Sequence, residues 1–504
     1  MIMRQGNWRF GLTAMLVVGC SLLSGCFKLG PDFNSPELTM PENWQDNGQQ
    51  TMKRGDFKQW WKLFKDPILD QLIEMAYQQN LNLQIAAVRI LEARAQLGIA
   101  KGSLFPQKQQ LGTDLAYNKL SRHVPNINTY SFDTFDVGFD TLWEVDIWGK
   151  YRRGIESADA NLDASLLSYD DVLVSLTAEV AATYVQIRTF QQRLTLARKN
   201  ADIQTRSLKI IEAQLRNGLG TELDVQQAKA LLADTQAMVS GLEAGFRQAR
   251  NALSILLGTP PGNIAGLTGE DKPIPSAAAE IAVGIPADIL RRRPDVRREE
   301  LKAVAQSAMI GVAKADLFPR LSLQGSIGLA SSSANGFDAF DVLGMHTLAT
   351  KLGPTVTWPI LHYGRLKNNV RIQDAKFEQL LIGYHESVLR ALREVEDAMI
   401  GFHKAREQVE QLQQGVDASE RAVKLSLLLY RDGLEDYTRV LNSQQSLVQQ
   451  QDRLTAGQGE SARNVIAMYK ALGGGWEIRQ GRDIIPADIK KDMQHRTDWG
   501  EMLD

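Results

Sequence analysis

Two stretches decide how this chain is read: Trp143 to Lys150 (WEVDIWGK) and Trp358 to Arg365 (WPILHYGR). The second matches the first at an offset of 215. Upstream, Ala100 to Pro106 (AKGSLFP) matches Ala313 to Pro319 (AKADLFP) at an offset of 213. Downstream, Arg216-Asn217-Gly218-Leu219 matches Arg431-Asp432-Gly433-Leu434, again at 215. Three ordered matches at nearly one offset make the chain an internal tandem repeat. Each copy reads helix, strand pair, long helix, turn, short helix.

Around each matched stretch the hydrophobic period changes from two to between three and four. Before it, Phe135, Val137, Phe139, Thr141, Trp143, Val145 and Ile147 share one strand face. Asp136, Gly138, Asp140, Glu144 and Asp146 share the other, with Leu142 as the exception. Leu111, Leu115 and Tyr117 alternate likewise, as do Leu321, Leu323, Ile327 and Leu329. So do Leu348, Leu352, Val356, Trp358 and Ile360 against Lys351, Gly353, Thr355 and Thr357. After it, Leu162, Leu166, Tyr169, Leu173, Leu176, Val180, Tyr184 and Ile187 recur at helical spacing. The second copy has Leu366, Val370, Phe377, Leu381, Tyr384, Val388, Leu392, Val395 and Met399. No proline falls between Pro125 and Pro260, or between Pro359 and Pro486. Runs this long without a breaker predict coiled coil. A helix from Tyr151 to Arg216 spans about 100 Å at ~1.5 Å per residue. The return helix, Thr221 to Leu257, reaches about half that. The second copy repeats the pair as Arg365 to Arg431 and Asp436 to Leu472. Pro67 to Lys101 and Pro294 to Asp316 supply the missing length, each stacked end to end on a return helix. The implied body is an elongated antiparallel bundle.

The chain has 504 residues, 57 Lys+Arg and 59 Asp+Glu. That balance excludes a dedicated nucleic-acid binder, which needs basic excess to displace counterions. A mean hydropathy of −0.24 is too polar for a polytopic helical membrane protein. Cys20 and Cys26 are the two cysteines, so the body holds neither thiol metal cage nor disulfide framework. Residues 1–25 read as an export signal, with Arg4 and Arg9 ahead of an apolar run from Phe10 to Leu23. The run ends Leu23-Ser24-Gly25-Cys26, which resembles a bacterial lipobox with Cys26 as the lipidation site. Phe27, rather than Asp, follows it, and that resemblance points to the outer membrane. No other run reaches spanning length, so further insertion must use strands. One face of such a sheet lies either on a core or in lipid, and the export signal favours lipid. Four strands cannot close a barrel, since about eight are the minimum, whereas three chains give twelve.

This plan resembles the TolC/OprM-type outer membrane factors, the lipoprotein branch serving RND-type efflux pumps. Three motifs carry the resemblance beyond the repeat. Gly30-Pro31-Asp32-Phe33 resembles the family's GPDY segment. Trp60 to Leu69 (WWKLFKDPIL) resembles its WWxxFxDPxL opening, and Arg292 to Arg297 (RRPDVR) its RRPDVR motif. Pro294 also suits a first helical position, and the arginines suit the end of a preceding helix. The resemblance implies an α+β trimer: one twelve-stranded β-barrel, four strands per chain, continuing into a coiled-coil helical tunnel. It implies docking on a periplasmic adaptor linked to an inner-membrane RND-type pump. Gly218, Leu219, Gly433 and Leu434 match the turns that meet the adaptor. Asp224 matches a position of the closed constriction. The second copy departs from the family, with Asn442 where an Asp is usual; Glu435, Asp436 and Arg439 are the charges nearby.

The expected domains follow: signal peptide 1–25, lipidated extended segment 26–65, first repeat 66–260, linker 261–293, second repeat 294–472, and an equatorial or disordered tail 473–504. There is no HExxH, Walker loop or GxSxG, and the six histidines have no ligand spacing, so neither enzyme, cofactor nor metal is expected. The function expected is the outer membrane channel of a tripartite efflux system, a passive exit duct for small molecules. The alternatives are a duct for type I polypeptide secretion and a coiled-coil lipoprotein tether without a pore. The strand pairs speak against the tether, which needs none.

Overall fold

A computed structural model describes residues 27–37, 44, 57–121, 123, 129–264, 266, 272–276, 292–335 and 345–503. Its elements run α1 (Pro67–Gln79), α2 (Leu81–Gly102), β1 (Lys108–Lys119), β2 (Ser131–Glu144), α3 (Lys150–Arg216) and α4 (Glu222–Leu256). They continue with α5 (Pro294–Ala315), β3 (Arg320–Ser332), β4 (Leu348–Thr357), α6 (Arg365–Arg431), α7 (Tyr437–Ala471) and α8 (Ala487–Arg496). The long helices α3 and α6 have 67 residues each, and the returns α4 and α7 have 35 each. Equal lengths at equivalent positions fit the expected repeat.

One difference from the sequence reading has a local cause. The stretch Pro67–Lys101 is two helices, broken at Asn80, whose carbonyl oxygen side-chain atom accepts from Leu83 N–H at 2.9 Å. Its amide then donates to the Leu256 carbonyl at the end of α4, 2.8 Å away. A single polar residue thus starts α2 and ties it to the return helix behind it. The second copy makes the same tie with a different residue: Arg293, ahead of α5, donates to the Ala471 carbonyl at 2.8 Å. Of the two states expected for the C-terminal tail, equatorial or disordered, the described residues show an ordered one. The tail carries a 3₁₀ turn (Trp476–Arg479), α8 and a last turn (Gly500–Leu503), and buries Ile485, Met493 and Leu503.

The chain forms two compact units that cut across the repeats. The first comprises 1–36, 91–164 and 299–384; the second comprises 37–90, 165–298 and 385–504. Each repeat contributes to both.

The first unit holds one antiparallel sheet in the order β1-β2-β3-β4. Directly paired residues share a face. Phe139 lies opposite both Leu111 and Ile327, and Val137 opposite Leu329, which lies opposite Leu348. That face is apolar and uncovered: Leu111, Leu115, Leu352 and Val356 are 62–89% exposed. The opposite face carries Asp114, Asp136, Asp140, Ser326 and Lys351 around a row in which Gly112, Gly138 and Gly328 are cross-strand partners. Among the described strands, β1 and β4 are the outer ones, each with one unpaired edge.

The second unit is helical. Tyr169, Leu173, Val180, Tyr184 and Ile187 of α3 are at most 2% exposed. Leu194, Ala197 and Leu242 join α3 to α4, with Phe190, Met238 and Phe246 around them. Arg193 of α3 makes a forked bond to Asp452 of α7 at 2.7 and 3.0 Å, and Asn200 donates to Gln451 at 3.0 Å.

Candidate functional site

The three motifs each become a distinct anchor. In the first unit, Gly30 has φ +97, and a Cβ there would come within 2.5 Å of the Gly311 Cα. Only glycine allows that approach. Leu29 N–H donates to the Trp148 carbonyl at 3.1 Å. Arg153, with its side chain 1% exposed, holds the Leu29 and Gly30 carbonyls at 2.9 and 3.2 Å and Asp32 at 2.8 Å. The segment that follows Cys26 is thereby fastened at the start of α3. Cys26 and the expected export signal lie outside the described residues.

The other two motifs lie in the second unit. Trp60, Trp61 and Phe64 are buried, and Trp60 stacks on Tyr469 at 5.5 Å. This 3₁₀ turn replaces part of the expected extended segment. Asp66 caps α1 through Ile68 N–H at 2.9 Å, and its other oxygen accepts from the Tyr184 hydroxyl at 2.6 Å. Arg292 lies 4.4 Å over the Phe57 ring and pairs with Glu477 at 3.1 Å. Arg293 is bidentate to Asp295, at 3.0 and 2.7 Å, and reaches Glu394 at 2.6 Å. Arg298 pairs with Asp171 at 2.6 Å, and Arg479 from the tail pairs with buried Asp170. Burial pushes both Asp170 and Asp171 above the ordinary carboxyl range, against the pull of their arginines. Burial works on Asp295 in the same sense, but the bonds and charge of Arg293 outweigh it and hold that carboxyl below its ordinary value. Sequence reasoning took the arginines for helix-end residues and missed this knot. Its partners lie up to 309 residues away, and no local pattern marks them.

The turns after α3 and α6 have one geometry. Gly218 has φ +74 and Gly433 φ +68. Gly218 N–H donates to Leu215 O at 3.0 Å and Leu219 N–H to Gln214 O at 2.9 Å. Gly433 and Leu434 bond to Tyr430 and Leu429 at the same two distances. The left-handed glycine satisfies the helix's last carbonyls and leaves Leu219 and Leu434 78% and 71% exposed. Beside the turns, Ile211, Val225, Ala228, Tyr437, Val440 and Leu441 form a core. An open groove of about 420 Å³ runs along it, floored by Ile210, Ile211, Leu427 and Leu428. The hydroxyl of Tyr430 donates to Gln214, joining the two turns. Burial, with neighbouring Tyr430 and Asp224, pushes the Tyr437 hydroxyl up to about 12.

The charges expected near this end are brought together only in part. Asp224 closes a capping box: its Oδ2 accepts from the Thr221 N–H at 3.1 Å and hydroxyl at 2.7 Å, and its N–H donates to Thr221 Oγ1 at 3.2 Å. Glu435 pairs with Arg439 one turn on, at 3.2 Å. Asp436 is the N-cap of α7 without a side-chain cap bond, and Asn442 is exposed. Within one chain, Arg439 therefore meets Glu435, while Asp224 serves its own helix.

Among the described residues, no helix is long and apolar enough to cross a membrane, and no group of three or more His, Cys, Asp or Glu is arranged to hold a metal. An uncovered apolar sheet joined to paired long helices defines a class, the outer membrane channels with periplasmic helical portions. The family model described as outer membrane efflux protein matches residues 72–259 and 285–474, once per repeat. Nodulation protein T of Rhizobium leguminosarum bv. trifolii is 31% identical over 455 residues, covering 90% of this chain and 96% of that one. The pyoverdine export outer membrane protein OpmQ of Pseudomonas putida is 33% identical over 447 residues, covering 87% and 93%. The solved structure of the outer-membrane channel OprN superposes with a TM-score of 0.83 at 31% identity, covering 89% of this chain and all of that one. The chain belongs to the outer membrane efflux protein family, and it is an outer membrane efflux channel.

Proposed function

We propose that three copies of this chain pool their sheets into one twelve-stranded barrel that opens into a tunnel of their helices. It is a passive exit duct for small molecules, handed over by an inner-membrane RND-type pump through a periplasmic adaptor. The sheet carries this reading. Its apolar face is uncovered, and its other face sets Asp114 directly opposite Asp136. Like charges directly across a ladder are unfavourable unless water solvates them, so one face belongs in lipid and the other in a wet lumen. Open edges are not tolerated in hydrocarbon, and four strands are too few to close. Copies must therefore complete the ring. On α6, Ile372, Ile382, Leu389 and Leu425 are more than half exposed, surface that further copies would cover.

The small-molecule cargo is supported by the relative named for pyoverdine export. The turns at Gly218, Leu219, Gly433 and Leu434 are the adaptor contacts, and the charges around Asp224 and Arg439 are the gate. Residues 1–25 are the export signal, 26–65 the anchored segment, 66–260 and 294–472 the two repeats, and 261–293 the linker between them. Cys26 carries acyl chains, each adding about 0.8 kcal/mol per buried CH₂ to membrane attachment. Intact-mass measurement of the protein from outer membranes is expected to show the acylated Cys26; an unmodified thiol there refutes the anchor. The test of the whole reading is light scattering with detergent contrast, then conductance in planar bilayers. A trimer that forms single channels is expected, and a monodisperse monomer overturns the reading.

A further inference from the structure

The loops that carry β2 into α3 and β4 into α6 are copies in sequence, yet only the first is covered. They share one fixed point: Trp143 Nε1 donates to the Leu104 carbonyl at 3.1 Å, and Trp358 Nε1 to the Leu317 carbonyl at 3.0 Å. Beyond it they diverge. In the first copy, Val145 N–H donates to the Leu321 carbonyl at 2.9 Å. Trp148 Nε1 donates to the Pro319 carbonyl at 2.7 Å, and its ring lies 4.8 Å from that of Phe318. In the second copy, the counterparts Ile360 and Tyr363 are 72% and 95% exposed, with Leu361 at 81% between them. Tyr363 also has φ +48, which Trp148 does not share. A non-glycine residue there is strained by the approach of its Cβ to the following carbonyl oxygen. Strain and exposure both fall on the copy that no described residue covers.

The missing cover is present elsewhere in the same chain. What covers Trp148 is the start of β3, and the repeat's counterpart of that start is Phe105, Pro106 and Lys108, ahead of and within β1. Phe105, the counterpart of Phe318, is 64% exposed. The uncovered loop follows β4 and the unused cover precedes β1, and these are the two outer strands of the sheet. One chain cannot bring them together, but successive copies in a ring can.

We propose that each copy seats its Phe105 on Tyr363 of the next copy, repeating between chains the contact that Phe318 makes with Trp148 within one. The hydroxyl of that Tyr363 donates to the Pro106 carbonyl of the copy that supplies Phe105, and the neighbouring Ile360 N–H to the Lys108 carbonyl of the same copy, which sets the register in which β4 of one copy meets β1 of another. Such a head-to-tail contact closes into rings. The inference rests on the reading of the chain as a ring of copies and adds which residues meet.

The test uses full-length protein in native outer membranes. With Phe105→Cys and Tyr363→Cys in one chain, a short bifunctional thiol reagent is expected to produce covalent dimers and trimers on denaturing gels. Either cysteine alone should produce neither. In parallel, Phe105→Ala and Tyr363→Ala are each expected to lower the temperature at which the oligomer falls apart, the double substitution doing little more than the worse single one. A protein that is trimeric by light scattering but gives no bridged species, or whose two alanine effects simply add, overturns the contact. A monomeric protein overturns the ring as well.

Discussion

Arg293 shows what one residue does in this chain. Its side chain is 7% exposed, and its guanidinium meets two carboxylates and a helix-end carbonyl. Removing one partner of such a buried group leaves the others uncompensated, at a cost of about 3–5 kcal/mol. Arg293→Ala should therefore lower the thermal midpoint of the detergent-solubilised protein by several degrees. Arg293→Lys should restore little of it, since an ammonium cannot form the bidentate bond. Asp295 supplies the pH dependence. Its folded pKa lies below the ordinary 3.8, so its contribution to stability is fully present above 3.8 and is lost as pH falls below that value. Asp295→Asn should accordingly destabilise by about 1.5–3 kcal/mol near neutral pH and by clearly less near pH 3, as read from midpoints measured at both. Equal loss at the two pH values would mean that the ionised carboxylate is not what Arg293 needs.

At the scale of elements, glycines separate strain from space. Gly218 and Gly433 have left-handed φ with nothing within 4 Å of an added Cβ. Alanine there should cost only the conformational penalty, about 1 kcal/mol. Gly258, after α4, has φ +65, and an added Cβ would lie 2.2 Å from the Gln79 carbonyl oxygen. Gly258→Ala should cost distinctly more, because α1 and α4 must move apart, and thermal melts of the three variants will rank them. The helices themselves were legible from sequence to within a residue or so: Tyr151–Arg216 was expected and Lys150–Arg216 is found. Strong periodicity without proline leaves little else possible. The break at Asn80 was not legible, since one asparagine in an apolar-periodic run reads as an ordinary helical residue until the Leu256 carbonyl is beside it. α8 was missed for a similar reason. With Met493 as its one buried residue, its period is too weak to register. The turns at Gly218 and Gly433 were read correctly as turns because the signal is chemical and local, whereas the carboxylates around them found partners that spacing did not indicate.

For the molecule as a duct, the open question is what closes it, and the arrangement around Asp224 changes how that is asked. Arg439 already pairs with Glu435, and Asp224 already holds Thr221. A latch between Asp224 and Arg439 must then form between copies, where symmetry would gather like charges around a narrow axis and arginines would bridge them. Charge-assisted bonds of that kind contribute about 1.5–3 kcal/mol when shielded from water and less when wet. Alanine at Asp224 would confound the test by destroying the capping box, worth about 1 kcal/mol to α4. Asp224→Asn keeps an oxygen for Thr221 and removes only the charge, so the variant to make is Asp224→Asn with Arg439→Gln. With three copies forming the duct as proposed, it should raise their resting conductance in planar bilayers without dissociating them. High salt should act in the same direction and more weakly, because screening reaches exposed pairs first. If the double variant conducts no better than the parent, charge is not what holds the duct shut. The closure would then rest on the apolar side chains at the same turns, Leu219 and Leu434, whose exposure leaves them free to meet their counterparts, and Leu219→Ser with Leu434→Ser should open the channel where the charge variant did not.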